Sequence, residues 1–371
     1  MVIAMKDILN VGVIGAGAIS GIYLENMTNM FDNIRPVAIC AAHVEKAEAK
    51  AAQFGIRACT LDEMLADPDI DICVNLTPVN AHYEIIRRAL MAGKHVYTEK
   101  TICETVAQAS ELCALADEKN LYLGSAPDTF LGSAIQSARR AIDEGLIGDI
   151  NSFSISINRR NDLLIALFPF LMLPGAGVLR DYQVYYTTAL VSLLGPASKV
   201  CSFVKAPYKT RLDSIPDTKH YGQIIETPNE SIVTATLELE NGIVGTIHQN
   251  HECIKTDRAD FAIYGRDGIL MLGNPNYFGG EVRILRDIPG LKTDIDPAPV
   301  ETVLQPANRF SGNSRGIGVS EMADAIIHGR KNRASKELAL HVLDILESME
   351  NSSKTGALLN IKSTCARPEA Y

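Results

Sequence analysis

The chain has 371 residues, enough for two domains of ordinary size, and its 47% hydrophobic and 21% charged residues are typical of a globular protein. Acidic residues number 44 against 35 lysines and arginines, so the formal net charge is -9, and no run is rich in Lys and Arg. This balance argues against nucleic acid and anionic membrane surfaces as partners.

Up to Ser125 the chain alternates short β-branched segments with helical patterns, which predicts a doubly wound parallel sheet of the α/β class. Capping-box spacing marks helix starts at Thr60–Glu63 and Thr105–Gln108, and Asn80 is expected to cap a helix that ends before Gly93. The strands are predicted at Leu9–Ile14, Pro36–Ala41, Ile56–Cys59, Asp71–Leu76, His95–Tyr97 and Leu121–Ser125.

Beyond about residue 128 the pattern changes to longer stretches of alternating apolar and polar residues, typical of antiparallel strands. The letters "ENG" at 240–242 predict a hairpin turn, and the amphipathic stretch 334–351 predicts a long helix. The alternating stretches are 152–159, 231–250 and 281–287. We therefore expect a second, α+β domain with a large, mostly antiparallel open sheet and helices on one face.

A glycine loop, "GAGAIS", joins the first predicted strand to the first predicted helix. Gly15 permits a tight turn, Gly17 lets the backbone approach a pyrophosphate, and Ser20 is small enough for close helix–strand packing. With Ala18 and Ile19 between them, these residues predict a dinucleotide site, and the alternative is a plain tight turn.

The corner after the second predicted strand decides which dinucleotide is bound. An Asp or Glu there would hold the adenosine ribose of NAD, and an Arg would hold the 2′-phosphate of NADP. Ala41, Ala42 and His43 stand there instead, with Lys46 shortly after. NAD(H) is favoured only slightly over NADP(H), and both stay open.

The cysteines and the apolar segments bear on localisation. The eight cysteines are scattered without a CxxC pair, which indicates reduced thiols, and the N-terminal apolar stretch runs straight into the glycine loop, unlike a signal peptide. The longest apolar run, "LLIALFPFLML" at 163–173, is too short to span a bilayer. A soluble, cytoplasmic protein is expected.

Three further stretches resemble segments of the Gfo/Idh/MocA (glucose–fructose oxidoreductase / inositol dehydrogenase) family: "VNLTPVNAHYEIIRRALMAGKHVYTEKT" at 74–101, "PGAGVLRDYQVYYTTALVSLLGP" at 174–196 and the tail at 315–347. The family patterns are T-P-x-x-x-H, A-G-K-H-V-x-x-E-K-P and G-G-G-x-x-x-D-x-G-x-H. The resemblance implies an NAD(P)-binding Rossmann domain at 1–128. A substrate-binding and oligomerisation domain would follow at 129–371, in a homo-oligomer (a dimer or tetramer).

The resemblance also implies roles for the end of the first stretch. Lys100 matches the family lysine beside the nicotinamide and the reacting hydroxyl, and Glu99 matches the glutamate that helps to hold that lysine and the cofactor. Alcohol oxidation moves a hydride to the cofactor while a proton leaves the oxygen, which a lysine with a lowered pKa can accept. The alternative is a structural ion pair. Thr101 stands where the family has a proline that often makes a cis turn, so a different path of the loop is expected.

In the second stretch, Asp181 matches the family aspartate that binds or orients the substrate, and Tyr185 stands at the family histidine position. Tyr185 is expected to relay a proton or bind substrate, with a neighbouring cation such as Lys100 lowering its pKa. The alternatives are a dipole-favoured carboxylate for Asp181 and an ordinary half-buried tyrosine for Tyr185. Gln183 replaces a family glycine and is expected to intrude toward the substrate.

Thr77, Pro78 and His82 match the family loop that lies along the dinucleotide, although a plain strand-to-helix turn is the alternative. The "HQNHEC" stretch at 248–253 resembles a metal cluster, but residues 248 and 251 point to opposite faces of a strand, so no metal site is expected. The apolar run at 163–173 is either core or a wall suited to the aglycone of a glycoside.

Together these features predict an NAD(P)-dependent oxidoreductase that acts on a secondary hydroxyl of a sugar, glycoside or cyclitol, with glycoside 3-oxidation as one form. One alternative is an NAD-dependent enzyme that cleaves glycosides through transient oxidation of the ring. A second is a non-catalytic protein that senses a dinucleotide.

Overall fold

The computed structural model describes residues 7–172, 176–254, 261–286 and 300–371. The first elements in chain order are β1 (Leu9–Ile14), α1 (Ser20–Asn29), β2 (Ile34–Cys40), α2 (Val44–Phe54), β3 (Arg57–Ala58), α3 (Leu61–Ala66), β4 (Ile72–Asn75), α4 (His82–Met91), β5 (His95–Thr98), α5 (Val106–Lys119) and β6 (Leu123–Ser125).

The described elements continue with α6 (Ser133–Asp143), β7 (Ile150–Asn158), α7 (Asn161–Leu167), α8 (Val184–Leu194), β8 (Ala197–Lys205), β9 (Thr210–Leu212), β10 (Ile224–Glu226), β11 (Ile232–Leu239) and β12 (Val244–Asn250). They end with β13 (Phe261–Gly265), β14 (Ile269–Leu272), β15 (Val282–Arg286), β16 (Val300–Val303), α9 (Ile317–His328), α10 (Lys336–Thr355) and β17 (Leu359–Asn360). A π-helical turn, Leu179–Gln183, leads directly into α8.

The chain divides into two compact units. The first runs to Leu131 and also contains Asn313–Leu340, whereas the second consists of Gly132–Gly312 and His341–Tyr371. The first division falls close to the boundary predicted at 128/129, but the return of the chain to the first unit was not predicted. It has a packing reason, because α9 lies against β2, β5 and β6 of the first unit.

The first unit contains a six-stranded sheet in the order β3-β2-β1-β4-β5-β6, with every neighbouring pair parallel. This is the strand order of a Rossmann fold, so the predicted doubly wound sheet is confirmed, with all six strands at or near their predicted positions. The strand order reverses between β1 and β4. Ligands of such sheets bind beyond the carboxyl ends of the strands at that place.

The local helix signals of the first unit are confirmed in part. Thr60 and Glu63 form a complete capping box at the start of α3. Thr105 accepts a hydrogen bond from the Gln108 amide, but the side-chain oxygen of Gln108 has no hydrogen-bond partner in the part of the chain that the structure describes, so this box is only half formed. The prediction for Asn80 is wrong, because α4 begins at His82 without a side-chain cap and Asn80 lies in the preceding 3-10 turn.

The second unit contains a nine-stranded sheet in the order β16-β15-β14-β13-β7-β12-β11-β8-β17. Neighbouring strands of this sheet are antiparallel, except that β7 and β12 run parallel to each other. The predicted, mostly antiparallel sheet is therefore confirmed, and Gly242, with φ of +85°, forms the hairpin turn between β11 and β12. Buried and exposed residues alternate along both strands, so one face is covered and the other is exposed.

Helix α10 and the C-terminal segment are joined by a buried polar network. His341 accepts a hydrogen bond from the Ala197 amide at Nε2 (2.9 Å) and lies 3.1 Å from the Ser363 hydroxyl at Nδ1. The Asp344 carboxylate accepts from the Lys362 and Ser363 amides at 3.0 and 2.7 Å. These contacts anchor the segment after β17.

No helix in the described ranges is both long and apolar enough to cross a bilayer.

Four buried cysteines of the first unit are free thiols: Cys40, Cys73, Cys103 and Cys113. Burial raises the pKa of each thiol to about 12. Because the thiolate is the reactive form, these side chains act as small apolar core residues and not as nucleophiles.

The half-buried imidazole of His95, at the start of β5, predicts acid sensitivity of the fold. Its Nδ1 accepts a hydrogen bond from the Tyr122 amide (3.0 Å), and burial lowers its pKa to about 4. Its ordinary pKa is about 6.5, so the stability held by the neutral ring is present above about pH 6.5 and is lost as the pH falls toward 4. Acidification from pH 7 to pH 5 is expected to lower the free energy of unfolding through His95 by about 2 kcal/mol.

Urea unfolding at both pH values, on the wild type and on His95→Asn, measures this effect. The asparagine oxygen keeps an acceptor for Tyr122 but does not titrate, so the variant is expected to lose about 2 kcal/mol less on acidification. His328→Asn, at an exposed histidine of α9, is the control and is expected to behave as the wild type. An identical pH dependence of His95→Asn and the wild type would contradict the prediction.

Candidate active site

The glycine loop after β1 has the geometry of a dinucleotide turn. Gly15 has φ of +110°, and a Cβ there would lie 2.9 Å from the backbone carbon and oxygen of Leu76, so only glycine fits. Gly17 is exposed, and a Cβ there would meet no atom of the described residues within 4 Å, which leaves room for a ligand to approach the backbone. Ser20 is buried and donates to the Gly17 carbonyl (2.7 Å), while Ala18 is exposed and Ile19 is half-buried at the start of α1.

The predicted ribose corner lies beside this loop, because the Gly15 amide donates to the Cys40 carbonyl at the end of β2 (2.8 Å). Ala41 is half-buried, while Ala42 and His43 are exposed. The His43 ring lies 3.6 Å from the carboxylate of Glu45, and both side chains are about 70% exposed. The structure thus brings the glycine loop and this corner together in the first unit.

A buried histidine joins the loops that follow β4 and β5. The two ring nitrogens of His82 lie 2.8 Å from backbone carbonyl oxygens, Nε2 from that of Thr77 and Nδ1 from that of Thr101. His82 is fully buried, which lowers its pKa. Its side chain is therefore not exposed to a ligand, in contrast to the half-buried Thr77 and exposed Pro78 of the same predicted cofactor loop.

The loop of the predicted catalytic lysine begins at the end of β5. The Glu99 amide donates to the Asn75 carbonyl of β4 (2.9 Å), and one carboxylate oxygen of Glu99 accepts from the main-chain amide of Lys100 (3.1 Å). The Lys100–Thr101 peptide bond is cis, the form that the family proline often takes. The buried Thr101 hydroxyl donates to the Cys103 carbonyl (2.9 Å). Lys100 itself is half-buried.

The sequence analysis missed two residues in the surroundings of Glu99, Tyr23 and Asp128. The fully buried Tyr23 of α1 donates its hydroxyl to the Glu99 carboxylate (2.8 Å). Asp128 accepts the amides of Gly316 and Gly318 at 3.2 and 3.1 Å, and burial, with a contribution from Glu99, raises its pKa to about 6. Tyr23 and Asp128 are distant from Glu99 in sequence, so no local pattern indicated them.

The second unit carries the other two predicted catalytic residues. Asp181 lies in the π-helical turn and donates its amide to the Gly177 carbonyl (2.9 Å), and Tyr185 follows one turn later in α8. Tyr185 is buried, with its ring 6.3 Å from that of Tyr182. Gln183 is fully buried and donates to the Thr187 hydroxyl (3.4 Å), while its side-chain oxygen has no hydrogen-bond partner among the residues that the structure describes.

Asp181 lines a pocket of the second unit. Glu230 lines the same pocket; its carboxylate accepts the Leu179 amide (3.1 Å), and burial raises its pKa. A Cβ at Gly177 would overlap the Glu230 carboxylate, so glycine is required where the family also has one. The other lining residues are Leu164, Ile165, Leu171, Ala176, Val178, Thr227, Asn229 and His251. Leu164, Ile165 and Leu171 belong to the apolar run 163–173. Residue 173, the last of that run, lies outside the described residues, and so do residues 174–175 of the motif that follows.

The two histidines of the "HQNHEC" stretch lie in different environments. His248 is exposed and lies 3.1 Å from the Thr234 hydroxyl, whereas His251 is buried and lies 2.9 Å from the Gln249 amide nitrogen. Within the described residues, no group of three or more His, Cys, Asp and Glu side chains could hold a metal ion.

The comparisons with known proteins identify the family. Residues 9–126 match the oxidoreductase family GFO/IDH/MocA, described as an NAD-binding Rossmann fold, and residues 135–271 match the C-terminal domain of the same family. The chain belongs to the GFO/IDH/MocA family. The predicted resemblance is thereby confirmed.

Relatives within the GFO/IDH/MocA family include the oxidoreductase YhhX of Escherichia coli, 26% identical over 92% of this chain and 95% of the relative, and the inositol 2-dehydrogenase of Rhizobium meliloti, 29% identical over 39% of this chain and 44% of the relative. The chain spans 42%, 95% and 62% of the lengths of the first three curated relatives. A levoglucosan dehydrogenase solved with NADH and L-sorbose shares the fold, with a TM-score of 0.79, 20% identity, and coverage of 96% of this chain and 99% of that one.

Lys100 belongs to the first unit of this GFO/IDH/MocA protein, and Asp181 and Tyr185 belong to the second. Their convergence on one substrate therefore stays a prediction. Within the first unit, the structure does bring together the glycine loop, the ribose corner and the loops after β4 and β5.

Removal of the Tyr23 hydroxyl tests the network around Glu99. Tyr23→Phe removes the hydrogen bond that a buried tyrosine donates to the half-buried Glu99 carboxylate, so the free energy of unfolding is expected to fall by about 1.5–3 kcal/mol. Tyr83→Phe removes an exposed tyrosine–glutamate hydrogen bond, to Glu111, and is expected to change it by about 0.5 kcal/mol or less. Urea unfolding of both variants makes the comparison, and equal losses would contradict the role given to Tyr23.

Proposed function

We propose that this protein is an NAD(P)-dependent oxidoreductase that transfers a hydride between the nicotinamide and a secondary hydroxyl of a sugar, glycoside or cyclitol. The observation that carries the proposal is the fixed loop of Glu99, Lys100 and Thr101, which Tyr23 and His82 hold at the carboxyl end of the Rossmann sheet. Family membership supports oxidoreductase chemistry, and the dehydrogenases for inositol and levoglucosan among the similar proteins support a polyol substrate.

The described residues fit a bound dinucleotide. The exposed backbone at Gly17 and the tight turn at Gly15 would hold the pyrophosphate, and Ala41 and His43 would border the adenosine ribose. Thr77 and Pro78 would lie along the nicotinamide half. When bound, the nicotinamide supplies the hydride acceptor or donor.

The protein's own residues would handle the proton and orient the substrate. Lys100 would accept the proton of the reacting hydroxyl during oxidation and return it during reduction. Asp181 would bind a substrate hydroxyl as a hydrogen-bond acceptor, and Tyr185 would relay the proton or contact the ring. Oxidation at the 3-hydroxyl of a glycoside is the finer form of the proposal, and the apolar side chains of Leu164, Ile165 and Leu171 would then face the aglycone.

We propose NAD(H) as the preferred cofactor. The ribose corner carries no arginine. The carboxylate of Glu45, within 3.6 Å of His43, would repel a 2′-phosphate.

The cytoplasmic location and the homo-oligomeric state also stay predictions. Phe203 and Val244, which are exposed on the strands of the second sheet, are compatible with a subunit contact.

A turnover assay with a panel of sugars, glycosides and cyclitols tests the proposed function. NADH formation is expected with at least one neutral polyol, and Lys100→Ala is expected to lower kcat/KM by about 10²–10⁴-fold because the proton acceptor is lost. Lys354→Ala, at the end of α10, is the control and is expected to keep full activity. Full turnover by Lys100→Ala would remove the proposed mechanism, and release of an aglycone without net NADH would favour the glycoside-cleaving alternative.

Fluorescence titration with NADH and NADPH tests the cofactor preference. NADH is expected to bind more tightly, and Ala42→Arg is expected to strengthen NADPH binding by about 1–2 kcal/mol through one guanidinium–phosphate contact. NADH binding by the variant should stay close to that of the wild type. A wild type that binds NADPH more tightly than NADH would overturn the preference.

A further inference from the structure

A buried imidazole lines the pocket of the second unit with one ring nitrogen unsatisfied. His251 follows β12, is only 2% exposed, and donates its main-chain amide to the Ser231 carbonyl (2.9 Å). Its Nδ1 has no hydrogen-bond partner among the described residues. Leaving a buried polar group without a partner is unfavourable by about 1–3 kcal/mol, so an unsatisfied one at the wall of a pocket indicates a ligand that completes it.

The neighbouring glutamine decides which nitrogen of His251 carries the proton. The Gln249 side-chain nitrogen lies 3.3 Å from the Val178 carbonyl oxygen, which can only accept, so the amide NH₂ group must face that oxygen. The same nitrogen lies 2.9 Å from Nε2 of His251 and therefore donates to it. Nε2 is then the acceptor, and in the neutral ring the proton is on Nδ1. Burial lowers the pKa of His251 to about 3, which keeps the ring neutral at ordinary pH.

The charges around the pocket restrict what can enter. Asp181 and Glu230 both line it, and none of its described lining residues is a lysine or arginine. The nearby Arg180 forms an ion pair with Glu350, and the guanidinium of Arg159 lies 4.2 Å from the centre of the Tyr182 ring. A carboxylate or phosphate in the pocket would meet two acidic side chains, whereas hydroxyl groups can donate to both.

The remaining lining residues match the other surfaces of a polyol. Thr227 and Asn229 offer further polar groups, and Leu164, Ile165 and Leu171 offer an apolar wall for the C–H face of a ring. The pocket is partly open to solvent.

We propose that His251 is a substrate-binding residue whose Nδ1–H donates to an oxygen of an uncharged polyol, and that Asp181 and Glu230 exclude carboxylated and phosphorylated analogues from the same pocket. This inference rests on the proposed function, because Asp181 belongs to that site. It adds a residue outside the three family patterns and narrows the substrate class to neutral polyols.

Calorimetric titration and steady-state kinetics with matched probes test the proposal. The probes are D-glucose with D-glucuronate and D-glucose 6-phosphate, together with levoglucosan and myo-inositol, titrated into the NADH-loaded protein. The wild type is expected to bind at least one neutral probe and to prefer D-glucose to its two anionic counterparts by about tenfold or more. Binding of no neutral probe, or a preference for the anions, would overturn the proposal.

The variants separate binding from folding. His251→Leu is expected to weaken binding of the neutral probe, and to raise its KM, by about two- to tenfold with a smaller change in kcat, because one neutral hydrogen bond is lost. His251→Asn keeps a donor close to the position of Nδ1 and is expected to recover most of the affinity. His248→Leu, at an exposed position of the preceding strand β12, is the matched control and is expected to bind as the wild type.

Glu230→Gln gives a second, independent variant. Its amide oxygen still accepts the Leu179 amide, while loss of the charge is expected to reduce the discrimination against D-glucuronate by about tenfold. NADH affinity should stay unchanged in all variants, which shows that they are folded. Equal affinities for the neutral probe in the wild type and His251→Leu would overturn the proposal but leave the proposed function intact. Binding that depends on His251 without any NADH formation would support this inference and contradict the proposed function.

Discussion

The proposed chemistry depends on the two contacts of the His82 ring, which hold the loops after β4 and β5 in place. Burial lowers the pKa of His82 and so favours the neutral ring, whose single N–H donates to one of the two carbonyls, of Thr77 or Thr101, while the other ring nitrogen lies against the second. Because the buried ring packs against the backbone at both places, His82 is a positioning residue between the dinucleotide loop and the loop of Lys100.

Local signals predicted the first unit well because its elements are defined over short distances. The capping box at Thr60 needs only three residues, and a strand such as β1 is visible as a continuous apolar segment before a glycine turn. The failure at Asn80 has a local reason too, because a 3-10 turn intervenes between Pro78 and α4 and moves the helix start past that residue.

The parts that the sequence analysis missed depend on contacts between residues far apart in the chain. The Tyr23 hydroxyl donates to Glu99, and Asp128 accepts from the amides of Gly316 and Gly318. Glu230 accepts from the Leu179 amide in the π-helical turn. None of these pairs has a spacing that a helix or strand pattern would reveal. Gly177 is a further example. A glycine is needed there because a Cβ would overlap the carboxylate of Glu230, which lies on a distant segment of the chain.

The family pattern has a histidine where this chain has Tyr185, and the position of His251 offers a reason for that difference. In this chain an imidazole is still present in the second unit, but it comes from the segment after β12 and lines the pocket from there. Gln249 holds it in the tautomer that donates, so it suits the binding of an oxygen and not the removal of a proton. Proton transfer would then rest with Lys100 and Tyr185, while His251 orients the substrate. Separating the two tasks would explain why a buried, neutral imidazole is kept beside two carboxylates.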